Sequence, residues 1–239
     1  MKFYGENMNI VAMIPARSGS KGIKNKNIKL VQGKPLFLYT VESALSSRLI
    51  SRTLISTDSI EMQQIAFDSG AEAPFLRPED LSNDTACMVD VMQHFVDWLK
   101  REDDYEVDLL VTLYPTSPFR TGEQIDAAIS AFIKSDADCL VSVSRQKHHP
   151  FWTLHLDNRK RLHHYFGKEN LFYRRQDMPF TYEQNGAIYI VPPKNILKLD
   201  RRSMTDNTLA FIMDGKSSIN IDDEMDFILA DTLTCSEDE

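Results

Sequence analysis

The chain has 239 residues, of which 42% are hydrophobic and 26% are charged, so it can form one large domain or one domain that carries a sizeable insertion. Its formal net charge of −8 argues against nucleic-acid binding through a general basic face. The cysteines match no zinc-binding spacing, and the amino-terminal residues contain no signal-peptide core. We therefore expect a cytoplasmic protein with reduced thiols and no membrane-spanning segment.

The first predicted element is a buried strand over residues 10–14, which ends at Pro15. It leads into a loop in which Gly19 and Gly22 allow the backbone to approach a ligand closely. The cationic side chains of this loop are Arg17, Lys21, Lys24, Lys26 and Lys29. A strand followed by a glycine-containing basic loop is typical of phosphate sites in α/β proteins, although the dinucleotide and Walker patterns are both absent. We interpret it as a phosphate-binding loop; the alternatives are a solvated basic turn and a patch that touches nucleic acid.

Predicted helices and strands then alternate along the chain. Helices are predicted over residues 36–46, 60–69, 85–100 and 125–133, and strands over 53–56, 73–76, 109–113, 140–144, 187–191 and 208–213. This alternation predicts an α/β fold with a mostly parallel sheet and helices on both faces. Ligands of such sheets bind beyond the carboxyl ends of the strands, so residues 17–29, Asp58 and residues 114–120 are expected to line one crevice. Either Ser59 or Asp58 could cap the following helix, and for Asp58 we favour capping over contact with a ligand.

Residues 145–182 interrupt the alternation, because they are rich in aromatic residues and histidines and contain few helix signals. The histidine spacings match no metal-ligand motif. Aromatic-rich segments that leave a compact sheet commonly pack on a partner subunit. We therefore favour an interface over a metal site for this segment.

Near the carboxyl end, Asn220 and Asp222 lie two residues apart, so in extended backbone they share one face. Asp223 and Glu224 follow and can open the terminal helix, where acidic residues suit the positive end of the helix dipole. Helix capping does not account for Asn220 and Asp222. These two residues could hold a cation against phosphate.

Four sequence blocks follow one another in a distinctive order. They are I-P-A-R-S-G-S-K-G-I-K-N-K-N-I, R-P-E-D-L-S-N-D, L-Y-P-T-S-P-F-R, and Y-E-Q-N-G-A-I-Y with I-N-I-D. In this order they resemble the acylneuraminate cytidylyltransferases, which make CMP-activated nonulosonic sugars, and the resemblance extends from about residue 10 to residue 229. It implies a nucleotide-binding α/β domain, here residues 1–144 and 183–239, and an inserted segment, here residues 145–182. It also implies a homodimer in which the insertion reaches the active site of the partner.

The resemblance further implies which residues bind the nucleotide. Arg17, Lys21 and Lys26 are expected to bind the phosphates of CTP, and Arg17 and Lys21 also to assist catalysis. Asn27 is expected to help position the nucleotide, and backbone groups of the loop to contact cytosine.

On the sugar side, Arg175 and Asn185 are expected near the substrate, with Arg175 donated across the dimer. Two departures from the family pattern occur: Tyr114 replaces the usual Gln that touches the sugar, and Asn220 replaces one Asp of the usual D-x-D pair. Asp222 is expected to bind Mg²⁺, with Asn220 as a second ligand, because an amide oxygen can still coordinate this ion. Asp222 is also our choice for assisting deprotonation of the sugar hydroxyl.

The implied reaction is attack of the anomeric hydroxyl of a nine-carbon 2-keto sugar acid on the α-phosphorus of CTP, with release of pyrophosphate. The sequence leaves N-acetylneuraminic, legionaminic and pseudaminic acids open. A Kdo cytidylyltransferase shares the reaction and fold, but that family typically carries Q-G-D-E-P where this chain has Y-P-T-S-P. A non-catalytic nucleotide-binding module is a second alternative, motivated by Asn220. The acidic remainder of the chain opposes a third, an RNA-binding basic loop.

Overall fold

The computed structural model describes residues 8–19, 22–167 and 174–235, with the side chains of Arg175 and Cys235 outside that description. Its strands are β1 Ile10–Pro15, β2 Leu30–Val31, β3 Lys34–Pro35, β4 Arg52–Ser56, β5 Leu109–Thr112, β6 Cys139–Arg145, β7 Leu154–Leu156, β8 Leu162–His164, β9 Tyr182–Val191 and β10 Thr208–Ile212. Its α-helices are α1 Leu36–Leu45, α2 Ile60–Asp68, α3 Met88–Glu102, α4 Gly122–Ile133 and α5 Glu224–Cys235. No helix in the described ranges has the length and apolar character that crossing a membrane requires.

The central sheet has the strand order β10–β6–β9–β5–β1–β4. β1 runs parallel to β4 and β5, and β10 runs parallel to β6, whereas β9 is antiparallel to both of its neighbours. The predicted mostly parallel α/β sheet is therefore confirmed. The strand predicted over residues 187–191 begins earlier, at Tyr182, because residues 182–184 pair with β6 as the chain returns to the sheet.

Helices cover both faces of this sheet, as the alternation predicted. Within β1, Ile10, Ala12 and Ile14 pack in a core with side chains of α1, α2 and α4. Val11 and Met13 belong to a second core, which α3 closes from the other face. A strand that is buried on both faces needs apolar residues at successive positions, which explains the unbroken apolar run at residues 10–14.

The predicted insertion, residues 145–182, leaves and re-enters the sheet at one place, because Arg145 pairs with Tyr182 between β6 and β9. It contains the hairpin β7–β8, on which Leu156 and Leu162 are 62% and 65% exposed. These two leucines pair across the hairpin, so they present adjacent apolar side chains on its surface. Among the described residues, no group of three or more histidine, cysteine or acidic side chains is arranged to hold a metal ion.

Candidate active site

Loops from distant parts of the chain meet beyond the carboxyl ends of β1, β4 and β5. The basic loop after β1 contacts the loop after β4, where Ser18 bonds to Asp58. It also contacts the segment before α5, since Lys26 Nζ donates to the backbone oxygen of Ile221 at 2.8 Å. The nitrogen of Ile221 in turn donates to the oxygen of Thr116 at 2.7 Å. The three loops predicted to line one crevice are therefore adjacent.

Asp58 fixes the basic loop and does not cap α2. Its carboxylate accepts hydrogen bonds from the backbone nitrogen of Ser18 at 2.7 Å and from Ser18 Oγ at 2.8 Å. The cap of α2 is Ser59, whose hydroxyl accepts from the nitrogen of Met62 at 3.3 Å. The favoured interpretation of Asp58 as a cap is thus wrong, because the neighbouring serine takes that position and leaves the carboxylate to the loop.

Arg17 and a second arginine, Arg77, lie together beside Asp58. Arg17 Nη2 forms an ion pair with Asp84 Oδ1 at 2.8 Å. Arg77 is only 5% exposed, and its Nη2 has no hydrogen-bond partner among the described residues. Burial lowers the pKa of Arg77, the charge of Asp58 opposes that shift, and the charge of Arg17 adds to it. A buried arginine with an unused donor is suited to an anionic ligand.

Sequence reasoning did not select Arg77, although the residue opens the block R-P-E-D-L-S-N-D. An arginine within an extended piece directly before proline was the available signal. Arg77 joins the site because its backbone nitrogen donates to the oxygen of Thr57 at 2.7 Å, which extends the sheet beyond β4.

Lys26 and Asn27 occupy a short 3₁₀ helix, Lys26–Ile28, within the basic loop. Lys26 Nζ lies 3.1 Å from Asp222 Oδ1, and its side chain is 13% exposed against 70% for Asp222. Asn27 Nδ2 donates to the backbone oxygen of Arg17 at 2.8 Å, and Asn27 is buried. Lys26 therefore joins the loop to the acidic segment, while Asn27 orients the backbone that carries Arg17.

Asn220 and Asp222 lie side by side, as the extended spacing predicted. The amide nitrogen of Asn220 donates to Asp222 Oδ2, and Lys26 engages the other carboxylate oxygen. An aspartate at position 220 would repel Asp222, whereas the amide is compatible with close approach. A direct hydrogen bond therefore joins Asn220 to one oxygen of Asp222, while Lys26 holds the other.

Tyr114 follows β5, and its ring packs against β9 at Tyr189. Its ring meets the ring of Tyr189 edge-on, with the centroids 5.3 Å apart, and burial raises the pKa of its hydroxyl. The backbone oxygen of Tyr114 accepts hydrogen bonds from Thr40 Oγ1 at 3.3 Å and from Arg120 Nη1 at 3.4 Å. The ring thus forms part of an aromatic wall with Tyr189.

Arg120 is a second buried arginine, and it links Tyr114 to β9. Its Nη1 donates to the oxygen of Ala187 at 2.6 Å, and it forms no ion pair with a carboxylate of the described residues. Burial lowers its pKa to about 9. Sequence reasoning assigned Arg120 only to a turn, since nothing in its spacing indicates that the side chain points inward.

Asn185 is buried, at 5% exposure, in the first half of β9. Its side-chain oxygen accepts from Ser142 Oγ at 2.6 Å and from the nitrogen of Ala187 at 3.2 Å. Its amide nitrogen donates to Ser218 Oγ at 2.9 Å. Most of the hydrogen-bonding capacity of Asn185 is therefore used within the protein, which leaves one amide hydrogen for a ligand.

Two of the predicted site residues lie wholly or partly outside the described residues. Lys21 lies outside the described residues. The backbone of Arg175 begins the short 3₁₀ helix Arg175–Asp177, and its side chain is outside the description. The assignments of Lys21 to phosphate and of Arg175 to the sugar remain predictions.

The model of the cytidylyltransferase family matches residues 11–210. That match includes the basic loop, Arg77, Tyr114 and Asn185. The chain belongs to the cytidylyltransferase family. It is thus a member of a nucleotidyltransferase family, as the sequence blocks predicted.

Named relatives span two sugar types. The chain is 38% identical over 225 residues to an N-acylneuraminate cytidylyltransferase from Escherichia coli O18:K1:H7, with 94% of this chain and 52% of the relative covered. It is 35% identical over 235 residues to the CMP-N,N'-diacetyllegionaminic acid synthase of Legionella pneumophila, with 95% and 96% covered. The chain thus spans about half the length of the first relative and nearly all of the second.

A solved structure confirms the family fold at low sequence identity. CMP:2-keto-3-deoxy-manno-octonic acid synthetase complexed with CTP has a TM-score of 0.69 and 16% identity, and the alignment covers 96% of this chain and 99% of that chain. Identity at this level supports the fold alone. The α/β architecture of this chain is therefore shared with that synthetase.

The Asn220–Asp222 pair suits a magnesium ion that the substrate helps to hold. Mg²⁺ prefers oxygen ligands, and it is commonly bound by one or two carboxylates together with substrate phosphates. Asp222 supplies an exposed carboxylate, and the amide of Asn220 beside it carries an oxygen of the type that Mg²⁺ accepts. The donor set of these two residues therefore fits Mg²⁺.

Proposed function

We propose that this chain transfers CMP from CTP to the anomeric hydroxyl of a nine-carbon 2-keto sugar acid and releases pyrophosphate. The observation that carries the proposal is the contact of Lys26 with Asp222 at 3.1 Å. Through this contact the phosphate-binding loop and the candidate metal ligand share one site. The two named relatives, which differ in their sugar acid, support the reaction class. We further propose that the protein works in the cytoplasm, where CTP is available.

The residues act in this proposal by alignment and charge. Arg17, Lys26 and Arg77 bind the triphosphate, with Lys21 as a further predicted cation, and Asp58 keeps the loop in place through Ser18. The sugar oxygen forms a bond to the α-phosphorus while the bond between the α-phosphorus and the bridging oxygen breaks. The electron pair leaves with pyrophosphate. Preorganised cations lower the barrier because they are already in place when negative charge develops.

Asp222 and Asn220 complete the site on the side of the acceptor. Both would hold Mg²⁺, which would neutralise part of the phosphate charge and make the attacking hydroxyl more acidic. The anomeric hydroxyl gives up one proton in the reaction, and Asp222 is the described carboxylate that we assign to accept or direct it. Lys26 keeps Asp222 oriented through its own hydrogen bond.

A Kdo-type activity is the second candidate. The shared fold with the octonic acid synthetase supports this alternative only at the level of architecture. The turn Y-P-T-S-P after β5 argues for the nine-carbon acids. A non-catalytic role is opposed by the cations and the exposed Asp222, which a module that only binds nucleotide would not need together.

Pyrophosphate release tests the proposal directly. The protein is incubated with each of the four ribonucleoside triphosphates, each sugar acid of a panel of eight- and nine-carbon 2-keto acids, and Mg²⁺. We expect release to require CTP, a nine-carbon acid and Mg²⁺ together. Equal release with UTP or ATP, or none with any nine-carbon acid, would contradict the proposed function.

We also propose that the chain forms a homodimer through residues 145–182, with Arg175 donated to the partner's site. The exposed leucines of the β7–β8 hairpin support this assembly. Light scattering should give a dimer mass. If Arg175 acts in trans, mixing inactive Arg175→Ala and Arg17→Ala subunits should restore part of the activity, because one site of each heterodimer has both arginines. A stable active monomer would argue against shared sites.

Tyr114 is the residue that we expect to bias sugar choice. Its ring and that of Tyr189 form an apolar wall, which suits the deoxy carbon and extra acylamino group of legionaminic or pseudaminic acid. Tyr114→Gln should shift the ratio of kcat/KM toward N-acetylneuraminic acid by about tenfold or more, the scale for one altered polar contact in a pocket.

Tyr114→Phe is the matched control, since it keeps the ring and removes only the hydroxyl. We expect this variant to retain the wild-type ranking of sugar acids. A wild-type preference for N-acetylneuraminic acid that the Gln variant leaves unchanged would refute this role of Tyr114.

A further inference from the structure

The first half of β9 carries an irregularity that places polar groups beside the active site. Val141 of β6 pairs with Tyr189, but the next pair along the ladder joins Val143 to Gln184. Two steps on β6 therefore correspond to five on β9, so residues 185–188 bulge opposite Ser142. Bulges of this kind interrupt ladder hydrogen bonds and redirect side chains, and they are frequent next to active sites.

Ser142 supplies the hydrogen bonds that the bulge would otherwise lack. It is fully buried, and its hydroxyl accepts from the nitrogen of Ile188 at 2.7 Å. The same hydroxyl donates to Asn185 Oδ1 at 2.6 Å. A buried backbone N–H without a partner is costly, so one serine stabilises both the bulge and the orientation of Asn185.

Asn185, once oriented by Ser142, forms a hydrogen bond to the segment that carries Asn220 and Asp222. Its Nδ2 donates to Ser218 Oγ at 2.9 Å, and Ser218 lies two residues before Asn220. Gly186 has a φ of +72°, and a Cβ there would lie 3.5 Å from Asn220 Oδ1. The bulge and the segment 218–222 are thus hydrogen-bonded, and little room separates Gly186 from Asn220.

We infer that Ser142 and Ser218 are positioning residues, which act through Asn185 to hold Asn220 and Asp222 in register with the phosphate-binding loop. Neither serine touches the substrate in this scheme. The inference rests on the proposed function for its kinetic consequence, because Asp222 matters only if it serves the acceptor and the metal. Its structural consequence, an ordered segment 218–222, is independent of activity.

Kinetics of Ser142→Ala and Ser218→Ala test the positioning role. Each variant should lower kcat about tenfold, because Asp222 is then less well placed and its interaction with the transition state is weakened by about the free energy of one hydrogen bond. Each should also raise the Mg²⁺ concentration for half-maximal rate. The KM for CTP should stay within about twofold, since the contacts of Arg17 and Arg77 are untouched. Ser218→Thr, which keeps the hydroxyl, should retain wild-type kcat.

Ser56→Ala is the matched control for deletion of a buried hydroxyl. Ser56 is fully buried at the end of β4, and its Oγ has no partner among the described residues. We expect this variant to keep the wild-type kcat. Equal losses in Ser56→Ala and Ser142→Ala would overturn the inference, because the effect would then follow from burial alone.

A double-mutant cycle separates positioning from general destabilisation. If Ser218 acts through Asp222, Ser218→Ala should cost little further activity in an Asp222→Asn background, whereas independent effects would multiply. Multiplying effects, or a Ser218→Ala variant with wild-type kcat and Mg²⁺ dependence, would overturn the inference while leaving the proposed function intact.

Hydrogen–deuterium exchange provides a readout that needs no turnover. The amides of residues 218–222 should exchange faster in Ser142→Ala than in Ser56→Ala or in the wild type. Unchanged exchange would overturn the inference. An inactive wild-type protein would contradict the proposed function, and the exchange result would still decide whether the serines order this segment.

Discussion

Replacing Arg17 by alanine is expected to lower kcat/KM for CTP by roughly a hundredfold or more. This is the scale for losing one preorganised donor to charge that develops in the transition state. The guanidinium is held in place before the nucleotide arrives, by Asp84 at 2.8 Å, and Asn27 bonds to the oxygen of the same residue. The measurement is steady-state pyrophosphate release at saturating sugar acid.

Arg101→Ala is the control for this substitution, since Arg101 is an exposed arginine on α3, away from the crevice. It should retain wild-type kcat/KM. The Arg17 variant should unfold at the wild-type temperature, because Arg17 lies on a surface loop. Near-normal turnover by a folded Arg17→Ala variant would contradict this role and favour the alternative, a solvated basic turn that does not bind phosphate.

Asp222→Asn should lower kcat about a hundredfold and raise the Mg²⁺ concentration needed for half-maximal rate. The substitution keeps the shape of the side chain and removes its charge, so Lys26 loses an ionic partner 3.1 Å away. Asp223→Asn is a matched control, because Asp223 accepts from the nitrogens of Met225 and Asp226 at the start of α5. Asparagine serves equally well at such a cap.

Asn220→Asp should have the opposite effect to Asp222→Asn on the Mg²⁺ concentration needed for half-maximal rate. A second carboxylate beside Asp222 adds a negative charge to the pair, and we expect a lower Mg²⁺ requirement with a longer-range attraction for the ion. If Asp222→Asn and Asn220→Asp both leave the Mg²⁺ dependence unchanged, this pair does not bind the metal.

The positions that could be predicted from sequence are those where local chemistry decides the structure. The apolar run of β1 and the glycines and cations after it define a strand and a phosphate-binding loop without reference to other parts of the chain. Asn220 and Asp222 were placed on one face for the same reason, since extended backbone fixes the direction of residues two apart. The alternation of elements then brought these loops to one end of the sheet.

The contributions that sequence reasoning missed depend on long-range packing. The guanidinium of Arg77 is buried because residues after α2 extend the sheet, and that of Arg120 because its turn folds against β9. Asp58 was assigned to a cap because Ser59 and Asp58 are both good capping residues. Only the hydrogen bonds from Ser18 show that Asp58 serves the basic loop while Ser59 caps α2. The β9 bulge depends on how the chain returns from residues 145–182, which no local pattern records.

The antiparallel course of β9 also has a consequence for the order in which the chain can fold. Within the described sheet, β9 alone connects the pair β10–β6 to the trio β5–β1–β4. On the ribosome, the trio can assemble once residue 112 has emerged, but the exposed edge of β5 must wait for residues 182–191. An open edge of this kind is prone to pairing with other chains. The strand that joins the two halves also carries Asn185 and Gly186, so the site cannot be complete before β9 has joined the sheet.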